Sequence, residues 1–197
     1  EPTEGSQVEL GVKYQPPGSG SQFTAALFHI EQENVATKRP EEQFYRPVGA
    51  IRSRGVELEA RVALTGSLYL QGGYAYTDAT YHRADDGTQG NNTNMAPRHQ
   101  ATLWGSYLVG AGLEVGVGAR HIGGLWADSA NTLKVPDYTL VDASLRYDLR
   151  RLGVEGLTAR LNVHNLLDEE YVASCYSLDY CYFGSERTVT GTLNYAF

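Results

Sequence analysis

Apolar and polar residues alternate along most of this chain with a period of two. In Val56-Glu57-Leu58-Glu59-Ala60-Arg61-Val62 the even positions are apolar and the odd ones charged. Leu113, Val115, Val117 and Ala119 alternate with Glu114, Gly116, Gly118 and Arg120. Val141 to Leu149 repeats the pattern with Asp142, Ser144, Arg146 and Asp148 between, and Leu157 to Val163 repeats it again. Such segments are two-faced strands, because successive side chains leave a strand on opposite sides. The pattern predicts nine of them, over about 6–14, 22–33, 48–64, 68–82, 97–109, 113–122, 136–149, 157–165 and 184–197.

The connections alternate as well. Short ones at Pro16–Gly20, Thr65–Ser67, Gly110–Gly112 and Arg150–Gly156 follow the odd-numbered strands. Long ones near Asn34–Pro47, Arg83–Ala96, Gly123–Val135 and Leu166–Phe183 follow the even-numbered strands. A water-soluble sandwich has no reason to keep every long loop at one end. A barrel crossing the bacterial outer membrane does, since its periplasmic turns are short and its outer loops long. The two faces agree. One carries Tyr14, Tyr74, Tyr76, Tyr107, Tyr147, Tyr195 and Phe197, mostly toward strand ends, as in the aromatic girdles at membrane interfaces. The other carries Glu57, Glu59, Arg61, Glu114, Arg120, Asp142, Arg146, Arg160 and His164, which suits a wet or plugged lumen.

Composition narrows the picture further. The 197 residues hold 16 Lys+Arg against 23 Asp+Glu, a formal charge of −7, which argues against a nucleic-acid partner. No apolar run approaches the roughly 18 residues of a spanning helix. Nine strands are an odd number and leave open edges, and the chain starts at Glu1 with its only methionine at Met95. The expectation is the C-terminal part of a larger barrel, with the last strand descending to a periplasmic C-terminus and no second domain within 1–197.

Several ordered motifs carry a resemblance. Ser53-Arg54-Gly55-Val56-Glu57-Leu58-Glu59, Pro97-Arg98-His99, Val135-Pro136-Asp137-Tyr138-Thr139-Leu140-Val141-Asp142 and Asn165-Leu166-Leu167-Asp168-Glu169-Glu170-Tyr171 resemble the C-terminal barrel of TonB-dependent outer-membrane receptors. Tyr171 to Cys175 followed by Cys181 to Arg187 is similar to the ferrichrome-type, ferric hydroxamate receptors. The resemblance implies an all-β fold: a transmembrane antiparallel barrel of about 22 strands, of which these are the last nine, with the plug domain outside this chain. It implies import of ferric siderophores, probed outside by loops and plug and driven through TonB and its inner-membrane energising complex. Further implied partners are the outer-membrane lipid and the barrel-assembly machinery, for which Tyr195 and Phe197 would be the assembly signal. No cofactor is expected, because the iron arrives inside its chelator.

Cys175 and Cys181 are the only cysteines, and in an oxidising envelope they read as a local disulfide that shapes the last long loop. A two-thiol metal or redox site is the rival, against which stand the missing Cys-x-x-Cys spacing and the lack of a nearby His. Tyr176, Tyr182 and Phe183 in that loop, with Trp126 in the loop before it, are the candidate ligand-binding aromatics. By the parity of the last strand Tyr182 faces the lumen and Phe183 faces out. The five histidines show no ligand spacing, and Asp85-Asp86-Gly87 lacks the order of a calcium loop. Neither Gly-x-Ser-x-Gly nor His-Glu-x-x-His occurs, so no enzyme is expected. Two other classes compete: a passive porin or small structural barrel, and a secreted β-rich module. The outward apolar rows count against the second.

Overall fold

A computed structural model describes residues 2–37, 43–177 and 180–197, with the side chains of Tyr176 and Ser177 outside the described set. Nine strands form one antiparallel meander in which every strand pairs with its neighbours in the chain order of the sheet. They are β1 (Glu4–Tyr14), β2 (Gln22–Thr37), β3 (Arg46–Ala63), β4 (Leu68–Arg83), β5 (His99–Gly110) and β6 (Leu113–Ile122), followed by β9 (Tyr138–Asp148), β10 (Leu157–His164) and β13 (Thr188–Tyr195). The nine predicted strands are these nine. Two short ribbons that the periodicity does not reveal fill the last two long loops: β7 (Leu125–Trp126) with β8 (Lys134–Val135), and β11 (Val172–Ser177) with β12 (Tyr180–Phe183).

The boundaries differ where local chemistry intervenes. The second and third strands run on to Thr37 and from Arg46, so their connection is shorter than the expected Asn34–Pro47. Its residues 38–42 lie outside the described set. The fifth strand begins at His99 rather than 97, because Arg98 is engaged in loop contacts. The last strand begins at Thr188 rather than 184, because Gly184 and Arg187 are bonded back to Tyr171 and Asp168.

The four expected short turns are all present, and three of them show a clear local reason. Ala111 and Gly112 both have positive φ, 52° and 84°, the geometry whose twist matches a tight hairpin. Asp148 caps the 3-10 turn Leu149–Leu152 by accepting from the Arg150 N–H, and Gly153 closes it with φ 83°. Thr65 Oγ1 accepts from the N–H groups of Ser67 and Leu68.

Register sorts the faces. On one side Leu10, Leu27, Val56 and Tyr76 stand opposite one another in turn, as do Leu103, Ala119, Val141 and, two strands on, Val163 with Val189. This face is apolar and open: Leu10 is 73% exposed, Leu103 58% and Leu193 71%. On the other side Glu59 meets Gly73, which in turn meets Thr102, Arg120 meets Thr102 and Leu140, and Arg146 lies between Glu114 and Arg160. A sheet with an exposed apolar face and a charged face inverts the water-soluble arrangement and fits lipid outside with water or protein within. Among the described residues no helix is long and apolar enough to cross a membrane.

Candidate functional site

The polar face supplies a lumenal wall. Trp104 on β5 lies flat across Gly116 and Gly118 on β6, where any Cβ would collide with its ring. Glycine at these two positions is what lets the indole lie against the wall. Beside it, Glu59, Arg61, Gln71, Arg120 and Asp142 line a trough of about 360 Å³. Asp142 is the junction of this wall. Its carboxylate accepts from the Asn165 N–H at 2.9 Å and stands 3.7 Å from the Arg120 guanidinium and 3.8 Å from His164 Nδ1. Arg146 stands 3.5 Å from Glu114 lower on the same face.

Above the wall the long loops are tied together. Asn165, only 3% exposed and with φ 51°, holds the exit of the last loop. Its side chain donates to the carbonyls of Glu169 and Ser185 and accepts from the Glu169 N–H. Asp168, three residues on, accepts from the Arg187 backbone and side chain, so the loop's two feet are clamped. Tyr171 then stacks against Tyr138 with ring centroids 4.3 Å apart and covers Gly184.

Cys175 and Cys181 form a disulfide, with sulfurs 2.02 Å apart, across the β11–β12 ribbon. Cys175 is buried with Leu125, Ala127 and Val135 from the neighbouring loop, and Met95 and Val172 pack on that cluster. Met95 ties three loops at once: its N–H donates to the Trp126 carbonyl at 2.8 Å, and its sulfur accepts from the Cys175 N–H at 3.3 Å. Asn131 clasps Asn92 from the other side, accepting from its N–H and donating to its carbonyl.

The predicted aromatics separate. Trp126 is partly buried in the β7–β8 ribbon, while Tyr182 and Phe183 on β12 are 59% and 77% exposed. Among the described residues no ring contact joins them. The side chain of Tyr176 lies outside the described residues. The parity argument for Tyr182 and Phe183 does not carry, because β12 belongs to a separate ribbon and the backbone turns away from it at Gly184. Sequence reasoning missed Met95 as a loop tie and the Tyr138–Tyr171 pair as part of the mouth. Both tyrosines sit in the quoted motifs, which was the signal available. Asp85 bonds Thr37 and Arg46, and Asp86 bonds Thr88, so both acids tie their loop. Among the described residues no three metal-ligating side chains gather. Tyr195 and Phe197 lie with ring centroids 6.5 Å apart at the end of β13.

Sequential antiparallel strands, an apolar outer face, a charged lumenal wall and long loops gathered at one end define the wall of an outer-membrane barrel. The family model for the TonB dependent receptor-like β-barrel matches residues 1–166, and the chain belongs to that family. It is 49% identical to the ferrioxamine B receptor of Salmonella typhimurium and 42% identical to the ferrichrome outer membrane transporter/phage receptor of Escherichia coli K12, in each case over the whole of this chain. It spans 29% and 27% of the length of those relatives. Among solved structures, the siderophore receptor PiuA of Acinetobacter baumannii superposes with a TM-score of 0.86 at 27% identity, over 97% of this chain and 28% of that one. The closed form of the ferric-catecholate import receptor Fiu of E. coli K12 gives 0.83 at 30% identity, over 100% of this chain and 28% of that one.

Proposed function

We propose that this chain is the C-terminal barrel portion of an active importer of ferric siderophores of the hydroxamate type. The observation that carries the reading is the identity of 42–49% over the whole chain, outer loops included, to receptors for ferrioxamine and ferrichrome. Residues 1–197 are one barrel segment without a second domain. The short turns lie on the periplasmic side, the C-terminus with them, and the tied loops face outward.

Ferric hydroxamates are compact complexes whose iron is already fully ligated, so a receptor needs walls and donors, not metal ligands. The mouth offers Tyr182, Phe183 and Trp126 as aromatic walls, with Tyr138 and Tyr171 at the top of the lumen, and Tyr176 is a further candidate by its place in the sequence alone. The ties hold the loops that carry these groups before the ligand arrives, which lowers the ordering cost of binding. The cargo then moves inward past the charged trough when a domain beyond this chain, coupled to TonB and its energising complex, rearranges. Tyr195 and Phe197 serve as the signal for the barrel-assembly machinery. A passive porin lacks any use for such a rigid, aromatic mouth.

The test is uptake of radio-iron by cells whose sole such importer is the complete receptor. Ferrioxamine B or ferrichrome should support uptake that disappears when TonB is deleted. Uptake of a ferric catecholate or cobalamin alone overturns the substrate assignment, and uptake independent of TonB overturns the active mechanism.

A further inference from the structure

Met95 is the only methionine of the chain, and three long loops meet on it. Its backbone lies in the left-handed region at φ 56°, where a non-glycine residue persists only while its surroundings hold it. Two contacts from other loops do so. The Met95 N–H donates to the Trp126 carbonyl of β7 at 2.8 Å, and the Met95 sulfur accepts from the Cys175 N–H of β11 at 3.3 Å. Cys175 is 5% exposed, so its N–H depends on that thioether for an acceptor. Met95 itself is only partly buried, against the cluster of Leu125, Ala127 and Val135. A polarisable sulfur within reach of solvent thus joins the ribbon that carries Tyr182 and Phe183 to the ribbon that carries Trp126.

We propose that Met95 is a modification site: hydrogen peroxide oxidises its thioether to the sulfoxide, which parts the β11–β12 ribbon from the β7–β8 ribbon and weakens cargo binding at the mouth. The effect on cargo rests on the transport reading above. In the step a sulfur lone pair attacks one peroxide oxygen, and an S–O bond forms as the O–O bond breaks. The proton on the transferred oxygen passes to the departing hydroxide, which leaves as water. The sulfur loses two electrons and the peroxide gains them. The Cys175 N–H engages only one of the sulfur's lone pairs, so another is open to the oxidant. The product is polar where the thioether was apolar. If the new oxygen faces Cys175, it takes over the N–H and the sulfur backs out of the cluster. If it turns to water, the buried N–H is left without an acceptor, which is costly. Both arrangements part the two ribbons, and a left-handed Met95 no longer held from both sides relaxes.

The test uses the complete receptor in detergent, treated with hydrogen peroxide beside free methionine as an internal standard. Peptide mass spectrometry should find Met95 as its sulfoxide, and amide exchange at Cys175 should quicken about fivefold, as for the loss of one hydrogen bond. Ferrioxamine B should bind a few-fold more weakly after the treatment. Methionine sulfoxide reductases should restore both readings in the native chain. In Met95→Leu, whose folding is checked by heat-modifiable gel mobility, peroxide should alter neither. A Met95 still present as thioether when the free methionine is oxidised overturns the site. Sulfoxide at Met95 with unchanged exchange at Cys175 overturns the parting of the ribbons. An equal loss of binding in Met95→Leu places the effect at another methionine and overturns the assignment. Untreated receptor that binds no ferrioxamine B overturns the transport reading instead, and the mass and exchange readings still decide this site.

Discussion

The strand wall and the loop cap above it are stabilised by opposite means. In the wall hardly a side chain is buried, and its backbone ladder does the work, with lipid as the intended solvent for the apolar face. Leu10 or Leu103, so exposed here, gains by contact with acyl chains what a core leucine gains from neighbours. The cap stands in water and needs a core of its own. Leu125, Ala127, Val135 and Cys175 supply it, bound in by a disulfide, by Met95 and by the Asn92–Asn131 clasp. The wall therefore tolerates change on its wet face and resists charge on its lipid face. The cap fails when its few ties are cut.

The sharpest way to break this contrast is a pair of adjacent substitutions on β10. Val163, between Ala143 and Val189 on the lipid face, and Asn162, between Ser144 and Thr190 on the lumenal face, are neighbours in sequence. Val163→Arg is expected to destabilise the complete receptor by about 2 kcal/mol, the cost of an arginine on the lipid face between mid-bilayer and the outer interface. Asn162→Arg should stay within about 0.5 kcal/mol. Unfolding in lipid vesicles by urea, followed by gel mobility, reads both. Equal costs would mean that the two faces are wrongly assigned.

Similar in size, but confined to the cap, is the loss of the disulfide. Cys175→Ser/Cys181→Ser removes a closure across a sequence separation of 6, which in a chain-entropy account contributes about 2 kcal/mol. The expected result is faster proteolysis between Asn165 and Arg187 and faster amide exchange at Met95 and Ala127, with the wall's mobility shift unchanged. If the wall melts with the cap, the two regions are not separable.

How much of this was legible beforehand follows the same division. In the wall, a period of two has only one solution that puts Val56, Leu58 and their partners on a common face, so strands, turns and faces could all be read from the chain. The cap has no period. Its ribbons are two to six residues long, and their pairing is decided by contacts between loops such as Cys175 with Met95, 80 residues apart. The alternation of β13 does not extend to Tyr182 and Phe183 on β12, because it breaks at Gly184, whose N–H turns back to the Tyr171 carbonyl. The cysteine pair was readable because two cysteines so close in an oxidising compartment have one obvious partner each.

The finest of the cap's ties is Asp128, and it gives the smallest expected effect. Its slight burial favours the neutral acid, but the donors from Leu133 and Thr132 outweigh that, so the carboxyl titrates below its ordinary value of 3.8. A carboxylate whose folded value is depressed contributes stability above its unfolded value and loses it as pH falls through the folded one. The turn Asp128 to Leu133, which also carries Asn131 to its clasp with Asn92, should thus hold unchanged from pH 8 to about pH 5 and loosen only below about pH 4. Protection factors at the Thr132 and Leu133 amides, the two that donate to Asp128, should fall a few-fold at pH 3 while those of β9 and β10 stay constant. Asp128→Asn should show the low-pH protection already at pH 7 and no further change on acidification. A turn whose protection is the same at both pH values in the native chain would mean that the backbone bond from Ala127 to Leu133, and not the carboxylate, holds this part of the cap.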